Sequence, residues 1–212
     1  SASGAKSVVN VTGGTFKGGY NCYGDAAGDA QINIKGGNFN SNPENYVVAG
    51  YKGVEENGIW TVAKAYDITE EGATIYSVAG LKWFAEQVNG GNNFSKKVVK
   101  LATDLDLNNE EWTPIGLTDD KSFRGAFDGQ GKTIYNLRID SNSRAGLFGY
   151  VGRDSGSNDG NVYGAIRNLK LHNVNMKTSS GAALCGNLFR GEISDIELTG
   201  KVTIEGTNQN VA

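Results

Sequence analysis

The chain has few of the residues that supply metal and redox chemistry. It contains one histidine and 2 cysteines in 212 residues, too few to assemble an ordinary zinc site. No apolar run approaches the roughly 20 residues of a membrane-spanning helix. The formal net charge of −3 gives no sign of the basic stripe that nucleic acid requires. We therefore expect no metal or other cofactor, no nucleic-acid partner and no membrane insertion.

Proline is equally scarce, with 2 residues, whereas glycine is abundant, with 31. That glycine content is about twice the usual share of roughly 7%. No Gly-X-Y period accompanies it, which excludes collagen. Glycine in this amount indicates many turns with positive φ angles.

Two stretches near the start of the chain repeat each other. Val9–Phe16 (VNVTGGTF) returns 23 positions later as Ile32–Phe39 (INIKGGNF). Each copy alternates apolar and polar residues and then has Gly-Gly and a Phe, and a fixed period of this length is typical of stacked repeats. The expected inward positions are Val9, Val11, Ile32, Ile34, Phe16 and Phe39, and Asn10 and Asn33 are expected to form a ladder on the other face.

Two further elements follow the second copy. Tyr46–Tyr51 and Gly58–Val62 are predicted strands of a hairpin whose turn includes Glu55-Glu56-Asn57-Gly58. Residues 77–89 then change to helical spacing, with Ser77 as N-cap and Asn89-Gly90-Gly91 as a stop. We expect the hairpin near 46–62 and the helix near 77–89 to cap the ends of strand stacks.

A second, looser repeat occupies the rest of the chain. Ile134–Ile139 returns as Ile166–Leu171, 32 positions on, and then as Ile193–Leu198, 27 positions on. Between them, Ala145–Val151 is echoed by Ala182–Leu188. The alignment predicts that Asn136, Asn168 and Asp195 stack at one corner.

These motifs resemble known modules. Gly146-Leu147-Phe148-Gly149 followed by an Ile-x-Asn-Leu strand resembles the GLUG motif of bacterial secreted and surface proteins, over residues 77–212; the second copy has Ala183 in place of the first Gly. Residues 36–62 resemble the "GGTF…YVADGY" repeat of large bacterial surface proteins, with Val48-Ala49-Gly50 where that pattern has Ala-Asp-Gly. The resemblance implies a secreted or cell-surface location.

Taken together, the patterns predict an all-β fold, a right-handed parallel β-helix. Residues 1–65 would be the last turns and hairpin cap of a short β-helix. Residues 66–212 would be the helix-capped start of a GLUG-type β-helix that is truncated at its C-terminus. Such a truncation would leave a free strand edge near 200–212, where we expect end-to-end self-association or fraying.

Asp104 and Asp106 are the candidate catalytic residues, because strand alternation places them on one face about 6.5–7 Å apart. An inverting glycoside hydrolase uses carboxylates at such a separation. The alternative interpretation is that they only solvate the outer face of a strand whose inner face holds Leu101, Thr103, Leu105 and Leu107.

Other candidates have simpler alternatives. An acidic stretch could hold calcium but lacks EF-hand spacing; it comprises Asp104, Asp106, Glu110, Glu111, Asp119 and Asp120. His172 is expected at the surface, and Gly129-Gln130-Gly131-Lys132 is expected to be a turn, since it lacks the Walker spacing.

Cys22 and Cys185 are expected to be packed thiols, with a disulfide as the alternative. Exposed rings among Trp60, Trp83 and Trp112 could stack on sugars, with core packing as the alternative.

The sequence leaves three hypotheses about function. The first is a non-enzymatic module, a stalk or adhesin, of a large secreted or surface-anchored bacterial protein, with a glycan or a host surface protein as partner. The second is a polysaccharide lyase or glycoside hydrolase that uses Asp104 and Asp106. The third is a structural spacer without a ligand.

Overall fold

The computed structural model describes residues 7–17, 30–152 and 164–211. The chain forms two compact units, Ser1–Tyr66 and Asp67–Ala212. The described residues are mostly β-strand, with one α-helix and one short 3-10 helix among them.

Parallel pairing of the two repeat copies organises the first unit. Strand β1 (Ser7–Phe16) lies beside β2 (Ala30–Phe39), with Val11 opposite Ile34. The Asn33 side-chain amide donates to Asn10 Oδ1 at 3.1 Å. The rings of Phe16 and Phe39 stack with centroids 4.9 Å apart. The 23-residue spacing and the asparagine ladder are thus confirmed.

The core of this unit is small and lies toward the second copy. Ile34, Phe39 and Val62 are buried, whereas Val11 and Ile32 are only partly so. Val9 is 52% exposed, so its predicted inward position is wrong. The strand alternation continues to Val9, but no described residue covers that end of β1.

The predicted hairpin exists, but its first strand begins later than expected. Residues 44–46 form a 3-10 turn in which the Tyr46 N–H donates to the Pro43 carbonyl. The strands are β3 (Tyr51–Glu56) and β4 (Ile59–Lys64), paired antiparallel, and β4 also pairs antiparallel with β2. The predicted strand over 46–51 is therefore wrong, because the 3-10 turn ends at Tyr46, Val47 makes only an isolated bridge to Ile34, and β3 begins at Tyr51.

The second unit is built around long parallel strands. Its sheet has the order β13-β11-β9-β7-β6-β5, with β8 beside β9, and β10 pairs with β12 in a separate two-stranded sheet. The pairs β6/β7, β7/β9, β8/β9, β9/β11, β11/β13 and β10/β12 are parallel. The elements are β5 (Tyr66–Thr69), β6 (Gly72–Ile75), α1 (Val78–Asn89), β7 (Val98–Leu101), β8 (Leu105–Asp106), β9 (Ala126–Ala145), β10 (Phe148–Val151), β11 (Ala165–Gly181), β12 (Cys185–Leu188) and β13 (Glu192–Val211).

Helix α1 lies where its spacing predicts. The Ser77 hydroxyl accepts a hydrogen bond from the Gly80 N–H at 3.2 Å and so satisfies one free donor of the first turn. The helix buries Leu81, Phe84 and Val88. The Phe84 ring meets that of Phe123 edge-on, at 5.4 Å. This aromatic packing anchors the helix in the core of the second unit.

The register of the long strands corrects the predicted repeat. Ile134 lies opposite Leu171, 37 positions on, and not opposite Ile166. The 27-residue step is confirmed, because Ile166 lies opposite Ile193. The echo between Ala145–Val151 and Ala182–Leu188 also pairs, with Phe148 opposite Cys185.

The spacing between paired strands changes most between β10 and β11. Val151 lies opposite Leu188, 37 positions away, whereas Ala165 lies opposite Glu192, 27 positions away. The ten extra residues of the earlier repeat therefore fall between Val151 and Ala165.

A right-handed parallel β-helix is not what the structure shows. The described strands form three sheets, one of them mixed because β3 and β4 pair antiparallel, and they do not close into a solenoid. The local periodicity that suggested the β-helix specifies which strands pair, but it contains no information on how separate sheets close.

Strand β13 lies at one end of the sheet order. Its Ile193, Leu198 and Val202 continue the apolar columns of β11 and are between 39% and 45% exposed. Self-association through this edge stays a prediction.

Candidate functional site

The long strands of the second unit bend at two shared levels, and residues with left-handed backbone lie at each bend. At the first level, Asn168 has φ 53° and Asp195 has φ 53°. At the second level, Asn136 and Asn173 both have φ 58°, and Gly200 has φ 70°. Asparagine tolerates this conformation better than most residues, because its short polar side chain bonds locally.

This arrangement corrects the predicted asparagine corner. Asn168 and Asp195 share the first level, as expected, but Asn136 belongs to the second level with Asn173. The predicted single stack of three is therefore wrong, and two separate columns replace it.

A buried carboxylate holds the first bend. Asp128 is 6% exposed and accepts from Arg167 Nε at 2.9 Å, from Asn168 Nδ2 at 3.1 Å and from the Gln130 N–H at 3.0 Å. Burial alone raises the pKa of Asp128. The hydrogen bonds from Asn168, Gln130 and Arg167 outweigh burial and lower that pKa to about 2. Asp128 is therefore ionised at neutral pH, and its hydrogen bonds with Arg167 and Asn168 connect β9 to β11.

A chain of side-chain amides crosses the second bend. Asn136 Nδ2 donates to Asp106 Oδ1 at 2.8 Å, and Asn173 Nδ2 donates to Asn136 Oδ1 at 3.2 Å. The Lys201 N–H then donates to Asn173 Oδ1 at 3.0 Å. One hydrogen-bonded ladder thus links β8, β9, β11 and the Gly200 turn of β13.

A polar groove of about 490 Å³ adjoins this ladder. Its volume is within the roughly 300–1,000 Å³ of small-molecule sites, but its lining is mostly polar rather than apolar. We call it the amide groove, and its lining residues are Asn109, Asn136, Asn173, Val174, Asn175, Lys201, Thr203 and Glu205.

The amide groove displays hydrogen-bonding groups with little net charge. Within the described part of the chain, no protein group hydrogen bonds the side chains of Asn109 and Asn175. Lys201 and Glu205 contribute one charge of each sign. The groove can therefore offer amide donors and acceptors to a ligand without selecting for an ion.

The structure gives both predicted catalytic carboxylates backbone partners. Asp104 Oδ1 accepts the Thr133 N–H at 2.9 Å. Asp106 Oδ1 accepts the Asn108 N–H at 2.8 Å in addition to the Asn136 amide. Both residues are exposed, as strand alternation predicts. Thr103, expected inside with the buried Leu101, Leu105 and Leu107, is exposed as well.

The acidic stretch does not converge on one point. Glu110 pairs with Lys82 at 2.6 Å, and Asp120 Oδ1 accepts from the Thr118 hydroxyl at 2.6 Å. Among residues 7–17, 30–152 and 164–211, no three His, Cys, Asp or Glu side chains are grouped so that they could hold a metal ion.

His172 lies in β11, and the glycine-rich segment Gly129–Lys132 lies in β9. The His172 ring is half-buried, with Nδ1 2.8 Å from Thr199 Oγ1, and it meets the Tyr135 ring edge-on at 5.4 Å. Gln130 and Gly131 have φ angles of 53° and 70° within β9. The Gly129–Lys132 segment is therefore a bend in a strand, as the turn interpretation predicts.

The tryptophans and the described cysteine belong to the packing of their units. Trp83 and Trp112 are 8% and 5% exposed, and Trp112 Nε1 donates to the Leu147 carbonyl at 3.0 Å. Trp60 is half-buried against the core of the first unit. Of the two cysteines, the structure describes Cys185, which is a free thiol, and Cys22 lies outside the described residues. Burial raises the pKa of the Cys185 thiol to about 11.

Sequence reasoning missed Asp128, Asn173 and Asn175. The two side-chain partners of Asp128, Arg167 and Asn168, lie 39 and 40 positions away, a separation that no local motif marks. The left-handed bends had a signal, because Asn136, Asn168 and Asn173 each interrupt an apolar/polar alternation, a position where asparagine supplies a bend.

Comparison with known proteins adds one distant similarity. The chain is 29% identical over 126 residues, 58% of its length, to Halomucin of Haloquadratum walsbyi, and the match covers 1% of Halomucin. No family model matches the chain. No solved structure matches it. The resemblance to GLUG-motif proteins therefore stays a prediction.

No helix within the described ranges has both the length and the apolar character needed to span a membrane. The α-helix among them, α1, has 12 residues, of which six are buried in the second unit.

Proposed function

We propose that the chain is a non-enzymatic module of a large secreted or surface-anchored protein, acting as a stalk or adhesin. The principal support is the state of Asp104 and Asp106. Their oxygens accept hydrogen bonds from the backbone N–H groups of Thr133 and Asn108, and Asp106 also begins the asparagine ladder. Hydrogen bonds of this kind favour a role for both carboxylates in stabilising strand bends over a role as the acid–base pair of a glycoside hydrolase.

Two further observations support a structural or binding module. Most of the described residues form strands, and three long strands stack in parallel with bends at the same levels. The matched relative, Halomucin, is far longer than this chain, since the match covers 1% of it. A segment of a long extracellular protein is consistent with both observations.

The competing enzymatic function has a direct test. The chain is incubated with a panel of neutral and acidic polysaccharides, and new reducing ends and unsaturated uronate products are measured. We expect no products above background. Turnover that disappears in Asp106→Asn, with unfolding free energy close to that of the wild type, would overturn the proposal. Asparagine keeps an oxygen acceptor at this position, so the variant is a fair test of chemistry rather than folding.

A further inference from the structure

We infer that the amide groove binds a neutral polyhydroxylated ligand, a segment of an uncharged oligosaccharide. The inference rests on the proposed binding role and names its site and ligand class. It starts from the position of the groove, which lies beside the second bend and is lined by residues of β9, β11 and β13. The register places Asn175 directly opposite Thr203, so their polar side chains form one row across neighbouring strands.

The groove is held in shape before any ligand arrives. Asn136 and Asn173 are fixed at both ends of their side chains by the ladder from Asp106 to the Lys201 N–H. Their left-handed backbone conformations also limit how the chain can rearrange. A preorganised polar surface loses less entropy on binding than a mobile one.

Hydrogen-bonding capacity remains after these internal bonds. Each asparagine amide nitrogen has two N–H groups, and the ladder uses one from Asn136 and one from Asn173. Asn109 and Asn175 add amides whose donors and acceptors have no protein partner among the described residues. Sugar hydroxyls both donate and accept, and therefore match amide groups that do the same.

The charges of the lining give no preference for an ionic ligand. Lys201 and Glu205 oppose each other in sign within the lining, and no arginine contributes to it. A sulfated or uronate-rich glycan would be attracted by Lys201 and repelled by Glu205, and a cationic ligand the reverse. An uncharged oligosaccharide meets neither penalty, and it needs no metal ion to bind.

The test is a two-dimensional NMR titration of the full chain, which reports the asparagine side-chain amides directly. The probes are short neutral oligosaccharides, the matching uronate oligosaccharides and a short neutral peptide. We expect neutral oligosaccharides to shift the side-chain amide signals of Asn109, Asn136, Asn173 and Asn175. The double variant Asn175→Ala/Thr203→Ala should bind about tenfold more weakly, because it removes two hydrogen-bonding groups of the usual strength.

Asn45→Ala is the matched control, since it removes an exposed amide in the first unit, and its affinity should equal that of the wild type. The inference is overturned if no neutral oligosaccharide shifts these signals, if only uronates or the peptide do, or if the double variant binds normally. Loss of the inference leaves the non-enzymatic proposal intact, because that proposal fails only on turnover.

Discussion

Asp128 offers the most direct test of how the long strands are fastened together. Its side chain is buried between β9 and β11 and has a pKa of about 2, against an ordinary value of 3.8. One unit of pKa shift corresponds to about 1.4 kcal/mol. The ionised carboxylate therefore contributes about 2 kcal/mol to the stability of the second unit at neutral pH. Asp128→Asn should lose about this amount, because the amide is uncharged and turns a donor toward Arg167, Asn168 or Gln130.

The pH dependence of the loss identifies the mechanism. The pKa of Asp128 is lower in the folded chain than in the unfolded chain, so the contribution is complete above about pH 3.8 and disappears as the pH falls toward about 2. We expect the difference in unfolding free energy between the wild type and Asp128→Asn to be largest near neutral pH. It should shrink steadily through that window.

Urea unfolding at a series of pH values measures this difference. The matched control is Asp140→Asn, an exposed carboxylate on the same strand, which should change stability by less than about 0.5 kcal/mol. The reasoning is refuted if Asp128→Asn is as stable as the wild type at neutral pH. It is equally refuted if the difference between them stays constant as the pH falls from about 4 to about 2.

Three further outcomes are expected. Ser77→Ala should cost about 1 kcal/mol in urea unfolding, since it removes the N-cap acceptor of α1; Ser77→Asp should restore most of that loss. Leu147→Asp should abolish the cooperative unfolding transition, because it buries an unpaired charge at a position that is fully enclosed, whereas Leu117→Asp, at a position 44% exposed, should leave the transition in place. Because the pKa of Cys185 is raised to about 11, its thiol should react slowly with a disulfide reagent near neutral pH and quickly after unfolding; equal rates in both states would contradict the raised pKa.

Local elements were predictable where one periodicity dominated a segment. The helical spacing from Val78 to Val88 and the capping Ser77 identified α1, and the eight repeated residues identified the pairing of β1 with β2. Each of these features depends on neighbours in sequence or on a repeat with a single register.

The repeat of the long strands was ambiguous for a physical reason. Strand β11 contains two bends, one at Asn168 and one at Asn173, and both interrupt the apolar/polar alternation in the same way. The segment Ile134–Ile139 resembles either bend, so similarity alone selected the first and gave a spacing of 32. The backbone pairs it with the second, at a spacing of 37. At the first bend of β9 the left-handed residues are Gln130 and Gly131. Because β9 has no asparagine there, its sequence does not show that this bend corresponds to the one at Asn168.

The site and the arrangement of sheets depended on longer distances. Asp104 and Asp106 were correctly placed at the surface, but their partners Thr133 and Asn136 lie 29 and 30 positions away. The arrangement of the sheets also depends on residues far apart in the sequence. For this reason the prediction of a parallel β-helix was wrong, although individual strands do pair in parallel. Alternation describes one strand at a time.

The change of spacing from 37 to 27 residues has a consequence for how the chain can vary in length. Pairing is in register both before the change, at Val151 with Leu188, and after it, at Ala165 with Glu192. Ten residues are therefore added to one repeat and absent from the next, while the strands on either side remain paired. We therefore expect the chain between Val151 and Ala165 to accept changes in length while the flanking strands keep their pairing.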